Sequence, residues 1–282
     1  MIFNNIKWIS VGAVSQCRNE DYVGIGDKYV FVLDGATGLT KDNLIGKRYG
    51  MSDARWFVLR VAEALHRDLS SSKKDIKEIL TTCVKEMKGL WTKSFDLCPS
   101  AGIVIWRIRG QSLEYFGLGD CDALIEYKNG IKQAICEEKL KNLDEKIIQE
   151  MLSLHVKTGC SMQQARKYLI DGLRYHRSLK NKPEGYWTLD ITGEGIYHAR
   201  ELSFPAEEVS RVFCCSDGFS QLIQHKKLDS LSVLSSLAAE CQDPYFLIQE
   251  LHRYQEKDRE MVRVPRTKFM DDASFAIADI VS

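Results

Sequence analysis

Short apolar runs and helically spaced apolar residues alternate along this chain. Runs at 6–14 and 29–33 predict strands near its beginning. At 52–69 and again at 76–90, apolar residues recur at intervals of three and four, which predicts two amphipathic helices. The first part of the chain is therefore expected to form strands followed by a pair of helices.

The middle of the chain begins with strand-like runs. They lie at 103–108, 113–118, 123–127 and 131–135. The dipeptide Asn129-Gly130 separates the last two and is a strong hairpin signal, so we expect an antiparallel meander. Helical spacing with many charges then returns until a break that contains proline and glycine. We predict a helical insertion at about 143–185 that could overhang a functional site.

The remainder of the chain mixes both patterns. Strands are predicted at 186–191, 195–198, 209–215 and 273–281, and helices at 219–237 and 244–254. No internal repeat, low-complexity linker or shift in composition divides the sequence. A single domain over residues 1–282, of the α+β class with two sheets between helical layers, fits this order best.

Composition narrows the possible classes of protein. The chain has 282 residues, of which 44% are apolar and 28% charged, which is typical of a globular domain. Basic and acidic residues both number 39, and no long basic block offers a surface for nucleic acid. Nine scattered cysteines, no signal-like amino terminus and no apolar run of ~20 residues lead us to expect a reduced cytoplasmic protein without a membrane partner.

Acidic residues cluster beside the predicted strands. The clusters are Asn19-Glu20-Asp21, Asp34-Gly35, Asp120 with Asp122, Ser216-Asp217-Gly218 and Asp271-Asp272. Any one of them alone reads as an ordinary turn, since Asp-Gly pairs are common turn residues. Together they indicate a cation-binding site, because strand-end carboxylates with few basic neighbours in sequence are costly unless a cation neutralises them. Mg²⁺ and Mn²⁺ prefer such oxygen ligands.

These clusters, in this order, resemble the motifs of the metal-dependent protein phosphatases of the 2C type. The matching stretches are Asn19-Glu20-Asp21-Tyr22, Phe31-Val32-Leu33-Asp34-Gly35-Ala36-Thr37-Gly38, Leu118-Gly119-Asp120-Cys121-Asp122, Cys215-Ser216-Asp217-Gly218 and Asp271-Asp272-Ala273-Ser274. They span nearly the whole chain. The resemblance implies a four-layer α-β-β-α sandwich with two central antiparallel β-sheets flanked by helices.

The resemblance also implies a centre of two metal ions, Mn²⁺ or Mg²⁺, at one end of the sandwich. By motif, Asp34 would bridge both ions. Glu20 and the Gly35 carbonyl would bind one of them, and Asp217 and Asp271 would bind the other. The two ions would activate a water molecule and clamp the phosphate for in-line attack.

Further positions are assigned in the same way. Asp21 matches a carboxylate that orders metal-bound water, and Asp120 matches the ligand of a third, weaker ion. The family usually has a phosphate-binding arginine where this chain has Gln16. Arg18, two residues later, either replaces that arginine or is a solvated charge at a strand end.

Two departures from the family pattern affect the expected chemistry. Some relatives carry a histidine where this chain has Ala36, so the leaving group would take its proton from water or another group. Asp122 replaces a residue that is often basic. It either raises the demand for metal or faces solvent, and we favour solvent.

The function these features predict is metal-dependent hydrolysis of phosphomonoesters, with serine/threonine phosphoproteins as the partners and a monomeric enzyme. The alternatives are a non-catalytic scaffold or binding protein that keeps the fold, and a phosphatase of small molecules, which Gln16 favours. The predicted insertion is our candidate for substrate selection. No histidine is assigned a role, because single helix histidines are usually surface or packed groups.

Overall fold

Two antiparallel sheets pack face to face in the computed structural model, which describes residues 1–13, 19–36, 43–70, 73–95 and 98–282. The strands in these ranges are β1 (Ile2–Val11), β2 (Tyr22–Gly26), β3 (Tyr29–Ala36), β4 (Ser100–Arg109), β5 (Ser112–Leu118), β6 (Asp122–Tyr127), β7 (Lys132–Ile135), β8 (Leu189–Asp190), β9 (Arg200–Pro205), β10 (Val209–Cys215) and β11 (Ala273–Val281). The first sheet has the order β1-β11-β10-β6-β7, and the second has β2-β3-β4-β5-β9, with β8 beside β4.

Helices cover the outer faces of both sheets. Those described are α1 (Asp53–Asp68), α2 (Ile76–Lys88), α3 (Glu138–Thr158), α4 (Met162–Tyr168), α5 (Ile170–Ser178), α6 (Asp217–Ser220), α7 (Leu222–Lys226), α8 (Leu231–Glu240) and α9 (Pro244–Lys257). The predicted four-layer α-β-β-α sandwich is thereby confirmed. Within the ranges that the structure describes, no helix is both long and apolar enough to cross a lipid bilayer.

The alternation of side chains along β3 shows why the sheets pack in layers. Val30 and Val32 point into the core between the two sheets, whereas Phe31 and Leu33 point outward into the core beneath α1 and α2. All four are fully buried, so both faces of this strand are covered. The opposite sheet buries its outer face against α8 and α9 in the same way.

The predicted meander is divided between the two sheets, which corrects one of our expectations. β4 and β5 form a hairpin in the second sheet, and β6 and β7 form one in the first. The chain crosses over at Gly119, whose φ of +90° is open to glycine and strained for other residues. Apolar periodicity could not reveal this crossing, because it is the same for strands of either sheet. Asp120 lies immediately after it.

Two other predictions for the later part of the chain were wrong. The stretch 195–198 is a 3₁₀ turn, Glu194–His198, and the strand lies after it as β9. Gly193, at φ +78°, starts this turn, and Ile196 fills the core like a strand residue. The single helix expected at 219–237 is three helices. α6 ends at Ser220, and Lys227 adopts φ +54° at the end of α7 and separates it from α8.

The segment predicted as a helical insertion forms α3, α4 and α5, which have a small core of their own. That core contains Ile147, Met151, Met162, Ala165 and also Met261 from the loop before β11. Each end of the segment is tied to the sandwich by an ion pair with a buried carboxylate. Lys141 binds Asp122 at 2.6 Å, and Lys180 binds Asp190 at 3.3 Å.

The first of these ion pairs contradicts the expectation that Asp122 faces solvent. Its side chain is only 4% exposed, and the Lys141 ammonium neutralises it. The two residues are 19 positions apart, on β6 and α3, so no local pattern in the sequence connects them.

Candidate functional site

The acidic motifs meet at one end of the sandwich. Asp34 pairs with Gly102 near the end of β3, and Asp120 follows β5 at the same end of the second sheet. In the first sheet, β10 ends just before Asp217 and β11 begins just after Asp271. The backbone N–H of Asp217 donates a hydrogen bond to Asp34 Oδ2 at 3.3 Å, so the acids of the two sheets come into contact.

A cavity of about 270 Å³ opens over these acids. Asp34, Asp120, Asp217 and Asp271 line it together with Asp144, which α3 contributes from the helical segment. The Gly35 backbone also lies on its wall. The five aspartates come from separate places in the chain, with Asp34 on β3, Asp120 and Asp271 in loops, Asp217 at the start of α6 and Asp144 on α3. This concentration of negative charge therefore exists only in the folded chain.

Burial and mutual repulsion raise the pKa values of Asp34, Asp120, Asp144 and Asp217. Burial is the largest cause for Asp34, followed by the charges of Asp21 and Asp217. Burial and the charges of Asp217 and Asp144 raise the pKa of Asp120 to about 7. Burial and Asp217 raise the pKa of Asp144 to about 6. A cluster of this kind retains protons near neutral pH unless a cation replaces them.

Asp21 lies behind Asp34 and is not part of the cavity wall. It is 1% exposed, and among the described residues neither of its carboxylate oxygens has a hydrogen-bond partner. Burial, followed by the charge of Asp272, raises its pKa. The Ser274 and Ser216 hydroxyls nearby favour its ionised form, but their own hydrogen bonds go elsewhere, from Ser274 Oγ to Ser10 Oγ and from Ser216 Oγ to the Ser274 carbonyl. A buried carboxylate in this state is costly and suits a cation as neighbour.

Glycines allow the acidic loops to pack against the strand ends. A Cβ at Gly35 would lie 2.4 Å from the Glu20 carbonyl oxygen, and one at Gly102 would lie 2.6 Å from Asp120 Oδ1. Both distances are shorter than any real contact of a Cβ atom. Glycine at these two positions therefore sets where the Glu20 backbone and the Asp120 carboxylate can lie.

Glu20 and Asp272, like Asp21, do not line the cavity. The Asp272 carboxylate accepts hydrogen bonds from the backbone N–H groups of Ala13, at 2.8 Å, and Glu20, at 2.6 Å. It therefore fastens the chain on both sides of 14–18. The predicted phosphate ligand Arg18, and Gln16, lie outside the described residues.

The oxygen donors of the cavity are of the type that hard divalent cations prefer, but they do not converge on a common position. Carboxylates, with the Gly35 carbonyl, are the oxygen ligands that Mn²⁺ and Mg²⁺ prefer. In the part of the chain that the structure describes, no three acidic, histidine or cysteine side chains form a ready metal-binding group. Lys268 instead donates to Asp271 at 2.8 Å. The residues therefore fit the ions in the chemistry of their donors.

Some residues of the cavity were not found from the sequence. Asp144, Arg166 and Arg177 come from the helices of the segment that was expected to overhang a site. Helical spacing predicted those helices but not which face would turn toward the acids. Lys268 is three residues before Asp271, which was the one local signal for it.

Solved bacterial phosphatases have a similar structure. The serine/threonine phosphatase PstP/Ppp of Mycobacterium tuberculosis matches with a TM-score of 0.56 at 16% identity, with 100% of both chains covered. The PstP catalytic domain in complex with two manganese ions gives 0.53 at 17%, again over 100% of both chains. Stp1 of Staphylococcus aureus gives 0.56 at 10%, over 100% of this chain and 96% of that one. No protein-family model and no curated protein matches the sequence. At such identities the likeness shows a shared fold.

Proposed function

We propose that this chain, which has the fold of the metal-dependent protein phosphatases of the 2C type, hydrolyses phosphoserine and phosphothreonine in proteins with the help of divalent metal ions. The observation that carries the proposal is the meeting of Asp34, Asp120, Asp217 and Asp271 in one cavity. The raised pKa values of Asp34, Asp120 and Asp217 and the hydrogen bond between Asp34 and Asp217 indicate a site built for positive charge.

The ligand roles are the ones that the motifs imply, and of these residues Glu20 does not line the cavity. Asp34, at the centre of the acids, would bridge two ions, with Glu20 and the Gly35 carbonyl on one side. Asp217 and Asp271 would hold the ion on the other side, where Lys268 now neutralises Asp271. Ions bound here would activate a water molecule and polarise the phosphate. The manganese complex of PstP supports two ions at a site of this fold.

The remaining roles concern the third ion, the attacking water and the leaving group. Asp120, which lines the cavity and matches the motif of a third-ion ligand, would hold a third, weaker ion. Asp21, whose charge acts on Asp34, would orient the attacking water by accepting its hydrogen bond. With Ala36 at the position of the leaving-group histidine, protonation of the leaving oxygen would depend on solvent.

Release of phosphate from peptides tests the proposal. Purified protein would be given phosphoserine, phosphothreonine and phosphotyrosine peptides and small sugar phosphates, each with Mn²⁺, Mg²⁺ or EDTA. We expect metal-dependent release from the phosphoserine and phosphothreonine peptides, and its loss in Asp217→Asn. Preferential turnover of the sugar phosphates would contradict the protein substrate and favour the small-molecule alternative.

The ion pair of Lys268 with Asp271 favours the second candidate, a non-catalytic scaffold. A lysine that permanently neutralises a ligand carboxylate would remove one ion from the centre. Complete inactivity of folded protein with each metal, on every substrate, would support this candidate. Metal-dependent activity of the wild-type protein would exclude it, whereas activity that appears only in Lys268→Met would show that the ammonium blocks the centre.

A further inference from the structure

Basic side chains line the cavity together with its carboxylates. Arg166, on α4, and Arg177, on α5, contribute from the helical segment, and Lys268 contributes from the loop before β11. Lys268 is already paired with Asp271. Among the described residues, neither arginine has a carboxylate within 4.0 Å. Two guanidinium groups thus stand over an acidic cavity without direct ion pairs.

One buried polar atom of Arg166 indicates that a ligand is missing beside it. Its Nε is buried and has no hydrogen-bond partner within the described ranges. A buried guanidinium N–H that is left unpaired costs free energy, so such a group indicates a ligand that completes it. Because Arg166 lines the cavity, that ligand would occupy the cavity itself.

The guanidinium group of Arg177 lies beside the acidic residues of the cavity. It lines the same cavity as Asp120 and Asp144, and its positive charge acts on both carboxylates. One turn earlier on the same helix, Arg174 behaves differently. It pairs with Asp171 at 2.9 Å, and its side chain is 58% exposed. The two arginines of α5 therefore face different surroundings, and only Arg177 faces the cavity.

The helices that carry these arginines are fixed in place. Met162 and Ala165 of α4 are fully buried in the small core of the segment. Lys180, just beyond α5, is held by Asp190 and by the Cys98 carbonyl, at 2.9 Å. Guanidinium groups held on packed helices bind a planar or tetrahedral anion with little further loss of entropy.

We propose that Arg166 and Arg177 are the substrate phosphate ligands of this protein, and that the helical segment thereby supplies the cation missing at Gln16. The inference rests on the proposed phosphatase function. A guanidinium group presents parallel N–H donors that match two phosphate oxygens, which a lysine cannot do. The phosphate would lie between these donors above and the metal-binding carboxylates below.

Inorganic phosphate, the product of the reaction, is the probe for the test. Calorimetry would measure its binding to the Mn²⁺-loaded protein, and steady-state assays with para-nitrophenyl phosphate would measure its inhibition constant and the KM. Arg166→Met and Arg177→Met keep the apolar stem of each side chain. Arg174→Met is the matched control on α5. Calorimetric binding of Mn²⁺ in each variant checks that the carboxylate site remains intact.

We expect both cavity variants to bind phosphate about 10- to 100-fold more weakly than wild type, with a parallel rise in KM. Arg177→Lys should fall between wild type and Arg177→Met, because it keeps the charge and loses the paired donors. Binding in Arg174→Met should equal that of wild type. If the cavity variants match Arg174→Met in phosphate binding, the inference is wrong even if the enzyme is active. Wild-type protein that binds phosphate through these arginines without any turnover would contradict the proposed function instead.

Discussion

Asp120 shows how much of the site depends on single residues. It lies directly after the crossover glycine, between the two sheets, and a strand glycine on β4 makes room for its carboxylate. Its pKa of about 7 means that this carboxylate is only partly ionised at neutral pH without a cation. Small changes beside it should therefore alter metal binding more than stability.

Gly102→Ala should weaken the site while the fold remains. The new methyl group would lie 2.6 Å from Asp120 Oδ1, so the carboxylate must move away. We expect roughly tenfold weaker activation by Mn²⁺, with a loss of about 1 kcal/mol in the free energy of unfolding. Gly89→Ala is the control, because a Cβ there meets nothing within 4 Å and its φ is −68°. An unchanged Mn²⁺ requirement in Gly102→Ala would contradict this role for the glycine.

Asp120→Asn tests the raised pKa through the stability of the metal-free protein. The folded-state pKa of about 7 lies above the ordinary value of 3.8, so the folded protein binds this proton more tightly than the unfolded chain does. Ionisation therefore destabilises wild type in full above about pH 7, and the penalty disappears as the pH falls toward about 4.

Denaturant unfolding in EDTA should then find Asp120→Asn more stable than wild type at about pH 8, with the difference shrinking toward about pH 5. A variant that is equally stable, or less stable, at the higher pH would show that the carboxylate is not strained by its neighbours.

The acidic residues of the site could be predicted from the sequence because each motif is local. The basic residues that lie beside them in the fold could not. Asp34 and Asp217 could be identified from strand-end patterns and from the order of the motifs. The burial of Asp122 could not, since it depends on Lys141 from a later helix. Arg166 and Arg177 were not predicted as cavity residues for the same reason, because the orientation of their side chains depends on how three helices pack.

At the scale of elements, the helical segment is the part that completes the cavity. Its helices contribute Asp144, Arg166 and Arg177, and the ion pairs of Lys141 and Lys180 tie its ends beside the acids. Its own core is small and includes a methionine from the loop before β11. The anchors should therefore contribute substantially to its position.

Lys141→Met should destabilise the protein by about 2–4 kcal/mol, because it leaves the Asp122 carboxylate buried without its cation. The Lys141 side chain is 31% exposed, which places the loss toward the lower end. Lys141→Met combined with Asp122→Leu should recover most of that stability, since no unpaired charge remains. Denaturant unfolding would measure both. A double variant no more stable than the single one would argue that the ion pair is not the cause.

Secondary structure was predictable where apolar spacing and capping agreed. The helix expected at 76–90 is α2, which starts with a capping box between Asp75 and Glu78. The strand expected at 209–215 is β10. The error at 195–198 and the break after α7 have one cause, since a single residue with positive φ, Gly193 or Lys227, redirects the chain without changing the apolar pattern.

At the scale of the whole molecule, the sandwich brings residues that are far apart in the sequence close together in space. Asp34 and Asp217 are separated by 183 positions, yet a hydrogen bond joins them because β3 and β10 end at the same edge of facing sheets. Motif order alone could predict the fold but not the distances within the site. The cost of assembling so many carboxylates should be offset when ions bind, so the function of the site is linked to the stability of the fold.

Hydrolysis of para-nitrophenyl phosphate tests the central claim, that the acidic cavity is a metal centre for phosphomonoester hydrolysis. Wild type would be assayed with Mn²⁺, Mg²⁺ and EDTA beside Asp34→Asn, with Asp171→Asn as the control for an aspartate that is 88% exposed. We predict metal-dependent turnover that falls by at least about 100-fold in Asp34→Asn and is unchanged in Asp171→Asn. Turnover that persists in EDTA or in folded Asp34→Asn, or no turnover with either metal, would contradict the claim.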